Sequence, residues 1–523
     1  MQILWQEPSR QLTHWGWEHQ AYYLLFPEIA LLIGIGIILL IDIFFGRKAY
    51  NFLIWVAIIA NFTNFLLTLH LMYMTSRFFS YGLGLWWGQL ETIDPYALFF
   101  KQLMDWGDIL LLLALFKYPL LKRYRAEFIA LFLTATVAFD LMVGSSDLLA
   151  IYVMTEFGSI ILYILASYYK GSVKSLEGGL KYFLTGASSS AVLLFGISFV
   201  YGIVGSTNIY DIKQQMFVIN QQHPLLLFSM VLIVVGIGYK IGVAPFHMWS
   251  PDAFEGAPTP VAAFVSLFPK MAGFAVLMRI YLVAFAPVAK TWLPLFLVIA
   301  VLTLFVGNIM ALTQTSFKRL MAYSGVAQMG YVLIGVICAG LAGENRASST
   351  DGFYAAMYYL FIYMFMNLGA FIIGMLNEVS GGSDHLDTFN GFYRRSPFLA
   401  FFMAICLLAL TGIPPTAGFI AKFYIFYSAI PYIAAFPAML FLILMAALNA
   451  VIAVFYYVGI IKRMYLEEPL REELARPFTP ILFQRIAVLV PALASLVLGF
   501  LYVDGPITYV QGAWFLTYYT TAA

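Results

Sequence analysis

The chain has 523 residues, of which 62% are hydrophobic and only 10% are charged, and its mean hydropathy is +0.88. This composition excludes an ordinary soluble domain and indicates a polytopic helical membrane protein. The net charge of +2 gives no electrostatic basis for binding nucleic acid. Cys338 and Cys406 stand apart in apolar runs, which excludes a disulfide framework and any iron–sulfur or zinc site built from this chain's cysteines.

Apolar runs long enough to cross about 30 Å of hydrocarbon recur along the chain. The first twenty residues are instead polar and rich in tryptophan, which we interpret as an interfacial segment and not a signal peptide. No stretch between the runs is long enough to bury a core of its own. The sequence therefore predicts an all-α membrane fold of about fourteen transmembrane helices, near 22–45, 50–75, 96–116, 126–144, 147–169, 176–204, 224–245, 259–286, 291–313, 319–341, 353–377, 397–430 (interrupted), 433–461 and 484–503.

The distribution of basic residues predicts the orientation of these spans. Loops after odd-numbered spans carry seventeen Lys and Arg residues, and loops after even-numbered spans carry four. Because cytoplasmic loops are enriched in Lys and Arg, the odd-numbered loops are expected in the cytoplasm. Both termini are then expected on the periplasmic or lumenal side.

Two spans contain helix breakers. In the seventh, Pro245 lacks a backbone N–H and follows three glycines that weaken the preceding turns, and in the twelfth the breaker is Pro414–Pro415. Each broken helix is the fourth in a block of five, spans 4–8 and spans 9–13. An odd number of spans inverts the second block relative to the first, which is the inverted-repeat pattern of transporters.

These blocks divide the chain into four parts. Residues 1–125 hold helices 1–3, and residues 126–286 hold the first repeat, with helices 4–8. Residues 287–464 hold the second, inverted repeat, with helices 9–13, and residues 465–523 hold a C-terminal loop and helix 14.

Four charged residues are predicted deep in the hydrocarbon region: Glu156, Lys240, Lys270 and Lys422. A lysine at the centre of a membrane helix costs about 2.5–3.5 kcal/mol on insertion scales, so it indicates an ion or proton pathway. Glu156 and Lys240 lie at comparable depth in one block and are expected to pair. The alternatives are an interhelical hydrogen bond for the carboxylate and lysine side chains that reach an interface.

Two further residues are candidates with equally plausible structural roles. Lys181 could contribute to the pathway or simply pair with Glu177 at the i, i+4 spacing of one helix face. His247 follows the first break and could relay protons or serve as a structural histidine at a helix end. Three acids near the ends of their spans are interpreted as interfacial or packing residues: Glu28, Asp42 and Asp140.

Three segments resemble the proton-translocating membrane subunits of respiratory complex I: GIGYKIGVAPFHMWSPDAFEGAPTPVAAF, LTQTSFKRLMAYSGVAQMGYVLIG and GIPPTAGFIAKFYIF. The lysine in GFIAKF is typical of subunit N (subunit 2), since the sister subunit M carries a glutamate there. The lack of a long lateral helix at the C-terminus distinguishes the chain from subunit L. The resemblance implies fourteen helices with two inverted five-helix repeats, in agreement with the topology above.

The resemblance also implies roles. Glu156 matches the fifth-helix carboxylate, Lys240 its lysine partner, Lys270 the central relay, Lys422 the second-half lysine and Lys181 the sixth-helix lysine. Protons would pass along these residues and His247, joined by water and by polar side chains such as Ser324 and Tyr331.

No cofactor is expected in this chain, because the resemblance implies that FMN, iron–sulfur clusters and quinone are bound by partner subunits. The expected partners are membrane subunits of the M, L, K, J, A and H types and the lipid bilayer. The expected location is the bacterial inner membrane, or the thylakoid membrane of a cyanobacterium, and the electron donor could be NADH or ferredoxin. The alternative is a subunit of a multisubunit Na⁺/H⁺ antiporter or of a membrane-bound hydrogenase.

Overall fold

The computed structural model describes residues 25–46, 50–78, 84–86, 90–118, 124–219, 224–342 and 351–500. The first nine α-helices of this part are α1 (Phe26–Phe45), α2 (Tyr50–Phe78), α3 (Pro95–Ala114), α4 (Arg125–Gly144), α5 (Leu148–Ala166), α6 (Val173–Val204), α7 (Ile209–Met216), α8 (Pro224–Ile241) and α9 (Trp249–Gly256). They are followed by α10 (Thr259–Arg279), α11 (Ala289–Leu312), α12 (Phe317–Leu341), α13 (Asp351–Val379), α14 (Phe392–Arg395), α15 (Pro397–Thr411), α16 (Ala417–Ala429), α17 (Ala438–Leu466) and α18 (Leu482–Phe500).

Short elements join these helices. A π-helical turn, Ile280–Ala284, extends α10, and 3₁₀ turns follow at Ala286–Val288, Leu386–Phe389, Ile430–Tyr432 and Glu472–Ala475. A two-stranded antiparallel sheet, β1 (Gly84–Trp86) and β2 (Glu91–Ile93), lies between α2 and α3. The fold is therefore all-helical apart from this small hairpin. The predicted interfacial tryptophans near the N-terminus lie outside the described residues.

Twelve helices in the described part are long and apolar enough to cross a membrane. Two predicted spans are not among them, for different reasons. The sequence of α3 contains Lys101, Asp105 and Asp108, and α15 and α16 have only 15 and 13 residues because a break separates them.

Burial separates the central helices from the peripheral ones. The spans of α10, α12 and α13 are almost completely surrounded by protein, whereas most residues of α1, α6 and α17 are not buried. A helix that is apolar all round suits a position in the core, where no face meets water. Lys270 of α10 therefore lies at the centre of the molecule.

Both predicted helix breaks are present. At the end of α8, Gly242 adopts φ +72°, and the next amide, of Val243, donates to Gly238 O at 3.0 Å. At the end of α15, Gly412 adopts φ +83°, and the amide of Ile413 donates to Leu408 O at 3.2 Å. Glycine is the residue that enters this left-handed region without a steric penalty, and it ends the helix in a hydrogen-bonded cap.

The helix bundle has two ends, the Glu91 face and the Asp252 face. At the Glu91 face, Glu91 forms a bridge to Ser145 after the end of α4, and α1, α3 and α5 begin. At the opposite Asp252 face, α6 and α12 begin, and Lys181 and Arg319 contact Asp252. The Glu91 face and the Asp252 face thus lie at opposite ends of the helices.

Of the two interpretations of the acids near the helix ends, interfacial or packing, the packing role fits Glu28 and Asp140. Glu28 and Asp140 are 2% and 0% exposed, because helices α1–α4 pack around them and β2 lies over the end of this bundle. Asp42 is half-buried, in the last turn of α1.

Candidate functional site

The first buried charged centre joins α5, α6 and the end of α8. Lys240 Nζ lies 3.2 Å from Glu156 Oε1 and donates to Ser159 Oγ at 2.7 Å and to Tyr163 OH at 3.5 Å. Ser190 donates a short hydrogen bond to the same carboxylate oxygen of Glu156. The lysine side chain is 5% exposed, whereas that of the glutamate is 23% exposed towards the outside of the bundle. The structure thus brings together the two residues that the sequence paired.

Lys181 lies away from this centre, in an ion-pair network at the Asp252 face. Its Nζ is 2.7 Å from Glu177 and 2.9 Å from Asp252, and Arg319 of α12 contacts both Asp252 and Glu255. Burial alone would raise the pKa of Asp252, but the hydrogen bonds from Lys181 and Arg319 outweigh it and hold that pKa below its ordinary value. The pairing with Glu177 is the structural alternative that the sequence left open.

Hydroxyl groups lie between this network and Lys240. Thr185 is one helical turn beyond Lys181, and its Oγ1 is 2.9 Å from Tyr239 OH. Tyr239 immediately precedes Lys240 and donates to Tyr182 O at 3.0 Å. Spacing did not single out Thr185 or Tyr239, because a lone hydroxyl in an apolar helix is usually bonded within that helix.

Lys270 lies at the centre, with its ammonium group between α10, α12 and α13. A Cβ placed on Gly325 would lie 2.6 Å from Lys270 Nζ and 3.0 Å from Tyr363 OH. Within the described residues, neither of these polar atoms has a hydrogen-bond partner. Buried polar groups are normally hydrogen-bonded, so this spot is where we expect ordered water. His247 lies in the break before α9, with its ring 6.1 Å from that of Tyr323 on α12.

The second buried cationic centre is Lys422, in the helix that follows the second break. Its Nζ donates to Leu410 O at 3.1 Å and to Thr411 O at 2.8 Å, at the C-terminus of α15. It also lies 4.9 Å from the centre of the Tyr331 ring. The last carbonyls of a helix lack partners within the helix and carry its partial negative charge, so they suit a cation. No carboxylate pairs with Lys422 among the described residues.

Gln328 of α12 connects Lys422 to other hydroxyl groups. Its Nε2 donates to the same Leu410 O at 3.0 Å and to Tyr457 OH at 3.3 Å, and Tyr359 donates to its Oε1. Gln328, Tyr359 and Tyr457 were not predicted as site residues, because contacts between distant helices leave no signal in local spacing. A polar amide inside an apolar helix was the one available clue.

The described residues contain no group of three His, Cys, Asp or Glu side chains arranged to hold a metal ion. Cys338 and Cys406 are both buried, on α12 and α15.

Residues 145–452 match the family described as NADH:quinone oxidoreductase/Mrp antiporter, transmembrane. The chain belongs to this family. A relative in Gloeothece citriformis, NAD(P)H-quinone oxidoreductase subunit 2, is 36% identical over 449 residues, covering 85% of this chain and 83% of that protein. NADH-quinone oxidoreductase subunit N of Desulfitobacterium hafniense is 39% identical over 383 residues, covering 71% and 76%.

Solved structures agree with this assignment. A chain of respiratory complex I from Thermus thermophilus superposes with a TM-score of 0.72 at 26% identity, covering 91% of this chain and 97% of that one. A chain of the Mrp complex from Dietzia gives 0.78 at 18% identity, covering 96% and 99%, which shows the fold alone. The matched family region contains all six candidate residues, from Glu156 to Lys422.

Proposed function

We propose that this chain is the subunit N-type proton-translocating membrane subunit of a multisubunit NADH- or ferredoxin-quinone oxidoreductase. The observation that carries the proposal is the set of buried lysines, Lys240, Lys270 and Lys422, two of which lie at helix breaks. The two relatives of this chain named above are both oxidoreductase subunits, whereas the likeness to the Mrp complex is one of fold. This favours the oxidoreductase over the antiporter alternative.

The Glu156–Lys240 pair would act as the proton switch of the first half. While the carboxylate lies 3.2 Å away, it stabilises the protonated lysine, and a rearrangement that separates the two groups would release that proton. The charge change would arrive from neighbouring subunits. Protons would reach the pair from the Asp252 face along Lys181, Thr185 and Tyr239, which lie in that order.

Lys270 would then carry the proton from the first half to the second. Its ammonium group and the Tyr363 hydroxyl both lie against Gly325 without a hydrogen-bond partner among the described residues, and His247 lies near the same stretch of α12. Beyond this point, Tyr457 and Gln328 lead to Lys422, which shares the Leu410 carbonyl with Gln328. Lys422 would be the last lysine of the line.

The proposed topology has fourteen spans and two inverted repeats. Helix α3 would cross the membrane despite its charged residues, because they face neighbouring helices and are buried. The pair α15–α16 would cross as one broken helix. The first repeat would comprise membrane spans 4–8, in residues 126–286, and the second would comprise spans 9–13, in residues 287–464. Residues 1–125 would form an N-terminal part and residues 465–523 a C-terminal part.

The Asp252 face would lie in the cytoplasm, and both termini would lie on the periplasmic or lumenal side, because cytoplasmic loops are enriched in Lys and Arg. The membrane would be the bacterial inner membrane or, in a cyanobacterium, the thylakoid membrane. Partners would be subunits of the M, L, K, J, A and H types, and FMN, iron–sulfur clusters and quinone would be held by the partner subunits.

Purification of the tagged chain from its own membranes in mild detergent tests the proposed assembly. Mass spectrometry should find flavin-binding and iron–sulfur subunits in the eluate, together with donor-dependent quinone reductase activity. Recovery of small antiporter subunits alone, with sodium-dependent proton exchange, would instead support the antiporter.

A substitution tests the proposed role of Lys240. Lys240→Ala should abolish proton pumping through this subunit and lower coupled turnover, measured as donor-driven acidification in proteoliposomes. Lys462→Ala, an exposed lysine in the last turns of α17, is the matched control and should pump normally. Full pumping by the Lys240→Ala complex would contradict the role.

A further inference from the structure

A second group of buried ionisable residues lies outside the line of lysines, among α1–α4 and β2. It contains five carboxylic acids and one lysine: Glu28, Glu91, Asp105, Asp108, Asp140 and Lys101. This set is called the N-terminal carboxyl cluster. The proposed proton line does not use it, and all four of its helices lie before the region that matches the family.

The cluster is charged at the end nearest the Glu91 face. Lys101 Nζ is 2.6 Å from Glu28 and 3.4 Å from Glu91. The glutamate of β2 is 12% exposed, whereas the other two side chains are 3% exposed or less. Asp94 at the start of α3 lies near this end too, but Arg279 binds it at 2.9 Å. The single lysine of the cluster is therefore already shared by two glutamates.

Three aspartates continue the cluster beyond Lys101, two in the middle part of α3 and one in the last turns of α4, and all are 0% exposed. Asn64 of α2 donates to Asp105 at 2.6 Å and to Asp140 at 3.1 Å, so two carboxyl groups surround one amide. Thr136 donates to Asp108. None of the three aspartates has an ion-pair contact with a cation among the described residues.

Several buried polar atoms around these aspartates have no hydrogen-bond partner in the described part of the chain. One oxygen each of Asp105, Asp108 and Asp140 has no hydrogen-bond partner in the described part of the chain. The amide of Asn61, 0% exposed, faces Asp108, yet neither its nitrogen nor its oxygen makes a hydrogen bond of normal geometry there. A carboxylate accepts hydrogen bonds but donates none, whereas a protonated carboxyl group donates one.

The free-energy cost of burying a carboxylate indicates whether these aspartates are charged. An unpaired buried carboxylate costs several kcal/mol, and two within about 6 Å of each other repel in addition. Protonation removes both costs and supplies O–H donors for orphaned oxygens. A metal ion is a poor fit, since no three acidic groups in the described residues converge in a suitable geometry.

We infer that Asp105, Asp108 and Asp140 form a proton-storing site, distinct from the lysine line, that exchanges protons with the Glu91 face through Lys101, Glu28 and Glu91. Stacked aromatic rings close the other side. Phe268 lies against Gly107, beside Asp108, and stacks on Phe264 with 3.9 Å between ring centroids. The chain of Lys270, two residues beyond Phe268, points instead towards Gly325. The proton-storing site is therefore apolar on this side and continues through ionisable side chains towards the Glu91 face.

Infrared spectroscopy of the purified whole complex tests this inference, because the C=O stretch of a protonated carboxyl group is distinct and shifts in D₂O. The wild type should show protonated carboxyl bands near neutral pH. Asp105→Asn, Asp108→Asn and Asp140→Asn should each remove or shift part of this signal, since asparagine keeps the size of the side chain. Asp211→Asn, an exposed acid on α7, is the control and should leave it unchanged.

The route of exchange has its own readout, the rate at which these bands shift in D₂O. Glu91→Leu should slow that shift several-fold, because it removes the only cluster carboxyl group that is more than slightly exposed. Bands that are absent from the wild type, or unchanged in all three aspartate variants, would overturn the proton store. An unchanged exchange rate in Glu91→Leu would overturn the route. Both readouts are independent of proton pumping, so they remain valid if the proposed function fails.

Discussion

Lys240 and Lys422 both lie beside a helix break, but they are stabilised by different groups. Lys240 is in the last turn of the helix before its break and pairs with the carboxylate of Glu156 on another helix. Lys422 follows its break and reaches back to two carbonyl oxygens of the preceding half-helix. The first lysine therefore has a full countercharge, whereas the second has backbone dipoles and the face of the Tyr331 ring.

This difference determines how each lysine can be controlled. A carboxylate on a separate helix can move away, so the charge of Lys240 depends on the relative positions of α5 and α8. The carbonyls that hold Lys422 belong to its own broken helix, so its charge depends on the local geometry of the break. Similar backbone breaks in the two halves thus serve two kinds of proton site.

Removal of the partner group should give the largest contrast. Glu156→Gln leaves Lys240 buried without its countercharge and should destabilise the protein by about 2–3 kcal/mol, below the roughly 3–5 kcal/mol of a fully buried pair because Glu156 is partly exposed. Lys422→Met leaves two carbonyls, one of which Gln328 still satisfies, and should cost about 1 kcal/mol. Thermal unfolding of the purified complexes measures both.

A double variant is the control for this prediction. Glu156→Gln combined with Lys240→Met removes both charges, so it should recover much of the stability while pumping stays lost. Equal destabilisation by Glu156→Gln and Lys422→Met, or no recovery in the double variant, would contradict the distinction between the two lysines.

The glycines of the two breaks provide a matched pair with a smaller effect. Gly242→Ala and Gly412→Ala should each cost about 1–2 kcal/mol, because both positions have positive φ. A Cβ on Gly412 would lie 2.9 Å from Lys422 Cδ, whereas the nearest atom to one on Gly242 is Lys270 Cε at 3.9 Å. Only Gly412→Ala should therefore displace a lysine and lower pumping several-fold. Equal pumping by the two variants at matched stability would refute this.

The sequence predicted the helices and both breaks because these depend on local chemistry. A run of apolar residues, or a proline after glycines, has the same consequence wherever the helix packs. The packing role of Glu28 and Asp140 was predicted only as one of two alternatives, because burial depends on contacts between separate helices. Both residues lie near the ends of their helices, which is also compatible with a position at the membrane interface, but α1–α4 and β2 bury them.

The charged residues of the site were found from the sequence because burying a charge in an apolar helix is costly and therefore conspicuous. Their partners were predicted less evenly. The pairing of Glu156 with Lys240 followed from equal depth, whereas the contacts of Lys422 depend on carbonyl groups, which every residue has. Gln328 connects three helices, and only the folded chain reveals such a residue.

Gln328 offers a test of how Lys422 connects to the rest of the line. Gln328→Met keeps the volume but removes the amide that bonds Leu410 O and Tyr457 OH, so it should lower pumping a few-fold without the stability loss of Glu156→Gln. Ser189→Ala, which removes a hydroxyl bonded to Gly236 O in the first half, is the control and should have little effect. Normal pumping by Gln328→Met would exclude this connection.

The smallest effect concerns the ion-pair network that leads to Lys240 but has no direct contact with Lys422. Because Lys181 and Arg319 lower the pKa of Asp252 in the folded protein, its charge adds stability above its unfolded pKa of about 4, and this contribution is lost as the pH falls through the lower folded value. Asp252→Asn should thus cost about 0.5–1 kcal/mol at neutral pH, and this cost should shrink steadily as the pH falls below about 4. Thermal unfolding across this range checks it, with the exposed Asp211→Asn as control; a deficit that persists in acid would mean that Asp252 stabilises the fold through packing and not through its charge.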